Sequence, residues 1–331
     1  MNDRIRLGVA GVGVMGEVHC RVAAQLIGRY ELVGVHDSNT ARAAAVARQF
    51  GVTAYETLDA LLDRVDALVV ATPPSSHAAL AIAALEAGRH VLVEKPIAND
   101  VADGERIAAA AKKAKRVCLI GHIERYNGTF RELIAVLGDE RPLSVSARRL
   151  NYFAPRVTDT DVTIDLMIHD IDLILEIAGE PPSGVTATGL RVESDQLDHV
   201  EALLSFPSGI VSSLTASRIT EDKIRRIDVV ARGRYVSADL LRRTLTIQSR
   251  ASSEWLPQGR DIRFRLDSVT QQVQLPTAEP LQIELADFAS AIHEGRDPDV
   301  GPEDGVRALV LVQRIQREAQ KYAPEATPRR G

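Results

Sequence analysis

Aromatic residues and cysteines are scarce in this chain, and each scarcity argues against a class of protein. Aromatics make up 4% of the 331 residues, which leaves few rings for the stacking platforms that bind single-stranded nucleic acids. Cys20 and Cys118 are the only cysteines, and they lack CxxC spacing. Neither a disulfide scaffold nor a cysteine-based metal site is therefore expected. The formal net charge of -5 gives no electrostatic reason to bind nucleic acid.

Long apolar runs and targeting segments are also missing. The chain passes from Met1 into an apolar segment without the h-region of a signal peptide. No charge-free segment approaches the length of a membrane span. We therefore expect a cytoplasmic protein with no membrane partner and, since no ligand cluster is visible, no metal. A length of 331 residues predicts two domains.

A glycine-rich turn lies between a predicted strand and a predicted helix. The apolar segment Ile5–Ala10 leads into GVGVMG at residues 11–16, and a helix is predicted over residues 17–27. In such a GxGxxG turn the first glycine allows the tight turn. The second lets a pyrophosphate approach the backbone, and the third lets the helix pack on the strand. Helix amides then hold the phosphates. We predict a dinucleotide bound by Gly11, Gly13, Val14, Met15 and Gly16.

Asp37 follows the second predicted strand, residues 31–35, about 20 residues after the glycines, where an acid accepts hydrogen bonds from the adenosine ribose. A carboxylate there repels a 2′-phosphate, so NAD is favoured over NADP. Arg42 is the nearest base that could bind such a phosphate, but it lies inside the next predicted helix. The alternative for Asp37 is an N-cap of the helix predicted over residues 39–49.

Strands and helices alternate as far as residue 122, where the first domain, residues 1–122, is predicted to end. Helices are predicted at 41–50, 57–62, 75–87 and 101–113, and buried strands at 67–71, 90–93 and 117–121. This alternation predicts an α/β domain with a doubly wound parallel sheet, a Rossmann fold. Ligands bind beyond the carboxyl ends of such strands. Thr72, Lys95 and His122 follow three of them. The alternative for Lys95 is a surface lysine in a loop, which is the commonest kind of lysine.

The pattern changes in residues 123–331, the second predicted domain. A helix is predicted at 123–137, and strands at 143–150, 185–190, 200–206, 209–216, 224–231, 235–239 and 244–248. Helices at 281–294 and 306–318 close the chain. This order predicts an α+β domain with a large, mostly antiparallel open sheet. Because the second face of such a sheet needs to be covered, we expect a homodimer or homotetramer formed through it.

Residues 162–178 form the most informative predicted helix, which Gly179 ends. Its polar positions from residue 165 onward are Asp165, His169, Asp170, Asp172 and Glu176, and all of these except Asp170 step by four, three and four and so share one face. Asp165 and His169 are then neighbours one turn apart. A carboxylate beside an imidazole orients the ring and favours its charged form, as proton transfer requires. The alternative is a surface helix with a polar stripe and a structural histidine.

Together these motifs resemble the glucose–fructose oxidoreductase/inositol dehydrogenase (Gfo/Idh/MocA) family over essentially the whole chain. The resemblance rests on the glycine turn with His19, Asp37, Thr72-Pro73-Pro74, Glu94-Lys95-Pro96 and Asp165-x-x-x-His169. It implies NAD- or NADP-dependent hydride transfer at a secondary hydroxyl or ketone of a sugar or polyol. It also implies that Lys95 binds that hydroxyl, with Asp165 orienting and His169 accepting the proton. The cofactor-binding residues then include Thr72, Pro73, His77, Glu94 and Lys95.

A narrower resemblance indicates a nucleotide-sugar substrate. Residues 121–127, GHIERYN, and 165–172, DLMIHDID, are similar to members described as UDP-N-acetylglucosamine 3-dehydrogenases. Arg148, Arg149 and Arg156 could bind the two phosphates of such a substrate, or they could be solvated or paired with Asp159 and Asp161. We predict substrate contacts by Lys95, Arg125, Tyr126, Arg149, Tyr152, Asp165 and His169. The alternatives are an inositol 2-dehydrogenase, a free-sugar dehydrogenase, and an NAD-binding sensor or scaffold without catalysis.

Overall fold

The computed structural model describes residues 4–154, 160–258, 261–275 and 278–322. The chain divides into two compact units. Unit 1 consists of Met1–Tyr126 and Ala278–Val310, and unit 2 of Asn127–Thr277 and Leu311–Gly331. A single cut near residue 122 does not describe this division, because the segment from residue 278 to residue 310 returns to the first unit.

The helices and strands have the following bounds. The α-helices are α1 (Val14–Gln25), α2 (Thr40–Phe50), α3 (Leu58–Leu62), α4 (His77–Glu86), α5 (Val101–Ala114), α6 (Gly128–Leu137), α7 (Ile168–Ala178), α8 (Pro280–Glu294) and α9 (Pro302–Lys321). The strands are β1 (Ile5–Ala10), β2 (Tyr30–His36), β3 (Thr53–Ala54), β4 (Ala67–Val70), β5 (His90–Glu94), β6 (Cys118–Gly121), β7 (Ser144–Leu150), β8 (Gly184–Leu190), β9 (His199–Ser205), β10 (Val211–Ser217), β11 (Ile224–Ala231), β12 (Arg234–Asp239), β13 (Thr244–Gln258) and β14 (Asp261–Gln274).

Unit 1 contains the predicted doubly wound sheet. In the described residues its strand order is β3-β2-β1-β4-β5-β6, and each neighbouring pair is parallel. The order reverses beside β1, so the carboxyl ends of β1, β2 and β4 surround the point where such sheets bind ligands. The buried strands carry a continuous apolar core, and Leu285 and Phe288 of α8 belong to it.

Hydrogen bonds also attach α8 to unit 1. The Tyr30 hydroxyl donates to the carbonyl oxygen of Leu285 at 2.6 Å, and the Tyr126 hydroxyl donates to Asp287 at 2.9 Å. Both tyrosines are buried, so each satisfies its hydroxyl with a group from α8. The predicted boundary missed this return because amphipathic spacing identifies a helix without naming the core that it covers.

Two helix boundaries differ from the prediction for local reasons. Helix α1 begins at Val14 rather than residue 17, with Gly13 as its N-cap, so the glycine turn supplies its first turn. The helix predicted over residues 123–137 is interrupted at Asn127. Residues 123–126 form a 3₁₀ turn, and the Asn127 side chain accepts from the Thr129 N–H at the start of α6. An asparagine that caps a new helix ends the previous turn.

Unit 2 contains the predicted open sheet. Its order in the described residues is β14-β13-β12-β11-β7-β10-β9-β8. The pairing is antiparallel except between β7 and β10. Strand β14 was missed and β13 is ten residues longer than predicted. Their sequences are rich in serine, glutamine and arginine, so they lack the apolar alternation that identifies a half-buried strand.

The predicted helix at residues 162–178 has two parts. Thr163–Met167 form a π turn, in which the Ile168 N–H donates to the Thr163 carbonyl oxygen five residues back. Helix α7 follows and ends at Gly179, whose φ of 68° is left-handed as predicted. None of the helices in the described part of the chain is long and apolar enough to cross a membrane.

Candidate functional site

The glycine turn of unit 1 has the geometry of a phosphate-binding turn. Gly11 has a φ of 84°, and a Cβ there would lie 2.6 Å from Cγ2 of Thr72. A Cβ on Gly16 would overlap the carbonyl oxygen of Gly11. A Cβ on Gly13, by contrast, would meet no atom within 4 Å. Two of these glycines therefore serve internal packing, while the backbone of the third faces open space that a ligand could approach.

Apolar side chains at the start of α1 are exposed beside this turn. Val14 is 72% exposed and Met15 38% exposed. Both follow Gly13, the N-cap of a helix whose first amides lack partners within the helix. An apolar surface next to free amides matches a dinucleotide, which presents both phosphates and flat rings.

Asp37 connects the glycine turn to the end of β2. Its Oδ2 accepts from the Val12 N–H and its Oδ1 from the Asn39 N–H, both at 2.8 Å. Asn39, not Asp37, caps α2, because its side chain accepts from the Arg42 N–H. The N-cap alternative for Asp37 is therefore wrong. Arg42 is exposed in the first turn of α2, where it could meet a 2′-phosphate more readily than its position inside a predicted helix implied.

The loops after β4 and β5 are tied together by His77. The ring is fully buried, with Nε2 2.8 Å from the Thr72 carbonyl oxygen and Nδ1 2.9 Å from that of Pro96. Burial lowers the pKa of His77, although both carbonyls favour its charged form. A neutral ring has a single N–H and donates to one carbonyl at a time. His77 thus joins the two loops from the interior and has no exposed surface for direct contact with a cofactor. Pro73, in the loop after β4, is exposed.

Glu94 is the last residue of β5, Lys95 follows it, and the Glu94 carboxylate contacts the buried His19. Nε2 of His19 lies 2.7 Å from Oε1 of Glu94, and the Lys95 N–H donates to Oε2 of Glu94 at 3.2 Å. Burial raises the pKa of Glu94, but the His19 hydrogen bond and the charges of His19 and Lys95 outweigh it and lower that pKa. The ionised carboxylate therefore holds the backbone of Lys95, whose own side chain is partly exposed.

Glu284 of α8 is a buried acid that the sequence reasoning missed. It is 0% exposed, and neither carboxyl oxygen has a hydrogen-bond partner. Burial, reinforced by the charges of Glu94 and Asp287, raises the pKa of Glu284 well above its ordinary value. The signal in the sequence was a glutamate on the apolar stripe of Leu281, Leu285 and Phe288.

In unit 2, Asp165 and His169 lie on either side of the junction between the π turn and α7. An α-helix completes a turn in 3.6 residues, so residues four apart overshoot one turn. A π turn needs more residues per turn. The π turn therefore changes the angle between Asp165 and His169 from the angle that a continuous α-helix would give. Both side chains are partly exposed, whereas Asp172 of the predicted polar stripe is buried.

The start of the π turn is anchored by buried polar groups. Oδ1 of Asp161 accepts from the backbone N–H and the hydroxyl of Thr163 at 2.9 Å and 2.8 Å. The Arg218 guanidinium donates to the Thr160 carbonyl oxygen and to buried Asp198. Neither Arg218 nor Asp198 was predicted, since each is an ordinary strand-end residue until the fold brings it to this helix.

Two predicted substrate-binding residues are buried in the structure. Tyr126 is fully buried and donates to Asp287, so its ring has no face for a sugar. Arg125 is 8% exposed and paired with Asp304 at 3.6 Å. Both residues are buried because their segment is a packed 3₁₀ turn of unit 1, so this structure gives no support to either substrate contact.

The residues of unit 2 predicted to contact substrate differ in accessibility. Arg149 is buried and makes two hydrogen bonds to Asp170. Tyr152 is 52% exposed, and the Lys223 ammonium lies 4.6 Å from its ring centre. Arg148 is exposed, while Arg156 and Asp159 lie outside the described residues. Among the residues that the structure describes, no group of three or more His, Cys, Asp or Glu could hold a metal ion.

Two sequence profiles of one oxidoreductase family match consecutive parts of the chain between residues 5 and 234. The profile of the oxidoreductase family with an NAD-binding Rossmann fold, Gfo/Idh/MocA, matches residues 5–122. That of the Gfo/Idh/MocA C-terminal domain matches residues 124–234. The chain belongs to the Gfo/Idh/MocA family. The resemblance carried by the glycine turn, Glu-Lys-Pro and Asp-x-x-x-His is confirmed, as is the two-part fold.

Individual relatives within the Gfo/Idh/MocA family act on nucleotide sugars and on inositol. A UDP-N-acetylglucosamine 3-dehydrogenase from Acidithiobacillus ferrooxidans is 37% identical over 96% of this chain and 98% of its own length. A solved structure of that enzyme superposes with a TM-score of 0.87 at 34% identity, covering 96% of this chain and 99% of the other. A myo-inositol 2-dehydrogenase from Thermotoga maritima is 27% identical over 93% of this chain and 94% of its own length.

Proposed function

We propose that this chain is an NAD-dependent sugar dehydrogenase that oxidises a secondary hydroxyl of a nucleotide sugar, with UDP-N-acetylglucosamine as the first candidate. The observation that carries the proposal is the 37% identity to a UDP-N-acetylglucosamine 3-dehydrogenase across nearly the full length of both chains. The fold and the glycine turn agree with a member of an NAD-binding family. The substrate is the finer part of the proposal, since inositol dehydrogenases share the same fold and family.

The glycine turn, the start of α1 and Asp37 in unit 1 fit a dinucleotide. The open space at Gly13 and the exposed start of α1 would accept the pyrophosphate. Oxygens of the Asp37 carboxylate would accept the ribose hydroxyls, since each retains a lone pair after binding one backbone N–H. When bound, the nicotinamide accepts the hydride that leaves the substrate carbon.

The chain's own side chains would manage the proton and the developing charge. Oxidation of a secondary alcohol leaves negative charge on oxygen as the hydride departs, and the Lys95 ammonium would stabilise that charge. His169 would take the hydroxyl proton, and the Asp165 carboxylate would orient the imidazole and stabilise its charged form. Glu94, which His19 contacts, accepts a hydrogen bond from the Lys95 N–H. This pair would fix the position of the Lys95 backbone at the end of β5.

The test of the proposed reaction is NADH formation from NAD with UDP-N-acetylglucosamine, run beside myo-inositol and free hexoses. Turnover on the nucleotide sugar alone is expected. Turnover on inositol or hexoses alone would contradict the substrate assignment and leave the roles of Lys95, Asp165 and His169 unchanged. Tight NAD binding without turnover on any substrate would favour the sensor or scaffold alternative instead.

The preference for NAD is tested at Asp37. Asp37→Asn removes the charge but keeps an acceptor for the Val12 N–H, whereas Asp37→Ser removes both the charge and the reach of the side chain. Both variants should raise the ratio of kcat/KM for NADP to that for NAD, because the repulsion of the 2′-phosphate is lost. An unchanged ratio in Asp37→Asn would mean that this carboxylate only braces the glycine turn.

A further inference from the structure

The register of α7, the helix that carries His169, is liable to shift because a π turn precedes the helix. A π turn corresponds to one residue more than the α-helical repeat, and it directly precedes α7. If the turn moved along the helix by one residue, a side chain it passed would rotate by about 100°, the rotation of one residue in an α-helix. His169 is the second residue of α7, so it would be among the first residues to change direction.

A buried ion pair attaches α7 to the unit 2 sheet immediately after the π turn. Nε of Arg149 donates to Oδ2 of Asp170 at 3.0 Å, and its NH2 group donates to Oδ1 at 2.7 Å. The two side chains are 3% and 4% exposed. Two parallel hydrogen bonds between a planar guanidinium and a carboxylate fix orientation as well as distance. Asp170 is the neighbour of His169, and Arg149 lies on β7 in the middle of the unit 2 sheet.

The π turn is therefore held at both ends. Asp161 accepts from Thr163 at its start, and Asp170 is tied to the sheet just beyond its end. We propose that Arg149 is a positioning residue, whose ion pair with Asp170 fixes the register of α7 behind the π turn and so fixes the direction of the His169 imidazole. Under this proposal Arg149 does not contact a substrate phosphate, because its guanidinium is buried.

The inference rests on the proposed function for the role of His169, so its first test needs no substrate. The full chain is labelled with ¹⁵N-histidine, and the ring ¹⁵N signals of His169 are assigned by their loss in His169→Gln. Arg149→Lys keeps a positive charge but cannot form two parallel hydrogen bonds. It should shift the His169 ring signals. Unshifted signals would overturn the proposal whether or not the chain acts on a nucleotide sugar.

The matched control is Arg234→Lys in the same unit. Arg234 pairs with Glu140 at 2.8 Å and donates to the Val136 carbonyl oxygen, which are contacts of α6 and β12. The same substitution there should leave the His169 signals in place. If Arg149→Lys does not fold, the apolar pair Arg149→Met/Asp170→Leu replaces both charges without leaving one unpaired. It should fold and shift the same signals; a folded double variant with unshifted signals would contradict the proposal.

The second test separates positioning from substrate binding by kinetics. With NAD and UDP-N-acetylglucosamine, Arg149→Lys should lower kcat about 100-fold, as expected for a misplacement of about 1 Å, and leave the KM for the sugar nucleotide within twofold. A raised KM with unchanged kcat would overturn the proposal and return Arg149 to substrate binding. If the wild-type chain does not turn over this substrate, the proposed function fails, and the NMR experiment still decides the role of Arg149.

Discussion

Lys95 is the residue whose removal should be most damaging to the proposed chemistry and least damaging to the fold. Its side chain is partly exposed at the end of β5, so it supports no core. Lys95→Ala should lower kcat by about a thousandfold, the order of loss when a preorganised charge-stabilising donor is removed. Circular dichroism and the melting temperature should remain near those of the wild type. Near-normal turnover would remove Lys95 from the mechanism.

Glu284 should make the stability of the protein depend on pH in a specific direction. Burial and the charges of Glu94 and Asp287 raise the pKa of Glu284 above its unfolded value. A group with a raised folded pKa favours the folded state below its unfolded pKa, and that contribution is lost as the pH rises toward the folded pKa. Glu284→Gln, which keeps the shape of the neutral acid, should therefore match the wild type near pH 4 and become relatively more stable above it.

The measurement for Glu284 is the free energy of unfolding by urea at several pH values between 4 and 8. The gap between variant and wild type should widen by up to about 1.4 kcal/mol per pH unit while the unfolded carboxyl alone is ionised. Glu86→Gln serves as the control, since Glu86 is an exposed glutamate at the end of α4. Parallel stability profiles for wild type and Glu284→Gln would mean that the carboxyl is ionised in the folded protein.

Single residues also mark where sequence reasoning stopped. Asp37 and Lys95 were identifiable because each follows a predicted strand in a recognisable fold. Tyr126 and Arg149 were assigned to substrate by residue type and by position in the sequence, and both are buried. Residue type states what a side chain could bind, whereas burial and pairing decide what remains available to bind.

The glycine turn offers a matched pair of substitutions within one element. Gly16→Ala should destabilise the protein by about 1–3 kcal/mol, because its Cβ would overlap the Gly11 carbonyl oxygen. Gly13→Ala should cost under about 1 kcal/mol, since its Cβ would meet only open space. Gly13→Ala should instead weaken NAD binding about tenfold, equivalent to a loss of about 1.4 kcal/mol.

Thermal unfolding and calorimetric titration with NAD check the two substitutions separately. Gly16→Ala should lower the melting temperature without ligand, and Gly13→Ala should raise the Kd for NAD at a nearly unchanged melting temperature. Tight NAD binding by Gly13→Ala would show that the open space at Gly13 is not where the cofactor approaches.

Helices show which features of an element are local. The end of α7 at Gly179 was predictable, because a left-handed glycine acts on its own turn. The π turn at its start was not, because apolar spacing over five residues does not distinguish it from an α-helical turn. The anchors on either side of it come from β7 and from Asp161, and only the first of these is distant in sequence.

At the scale of the whole molecule, the unit 2 sheet is the surface through which we expect a homodimer or homotetramer to form. Leu203 is 63%, Val211 54% and Val230 40% exposed. Val211 and Val230 both pair with Ser144, so they lie in one row across the sheet. Exposed apolar residues in a row on a broad sheet indicate a surface that another subunit could cover.

Leu203→Glu should reduce the mass of the wild-type oligomer in light scattering, because a carboxylate would be buried in the interface. Ile27→Glu is the control. It introduces the same charge at a residue of unit 1 that is 70% exposed and should leave the mass unchanged. A monomeric wild type, or an unchanged mass for Leu203→Glu, would exclude assembly through this face of the sheet.

The sequence by itself determined the alternation that makes unit 1 a doubly wound sheet, the positions of the glycine turn and Asp37 after the first two strands, and the family. These features are short-range, because each depends on neighbours within a strand, a turn or a helix. Tertiary structure alone decided that residues 278–310 complete unit 1, that Glu284 is buried near Glu94, and that Arg149 pairs with Asp170. These contacts join residues 21 to more than 180 positions apart in the sequence. Their energy comes from burial and charge, which no local spacing encodes.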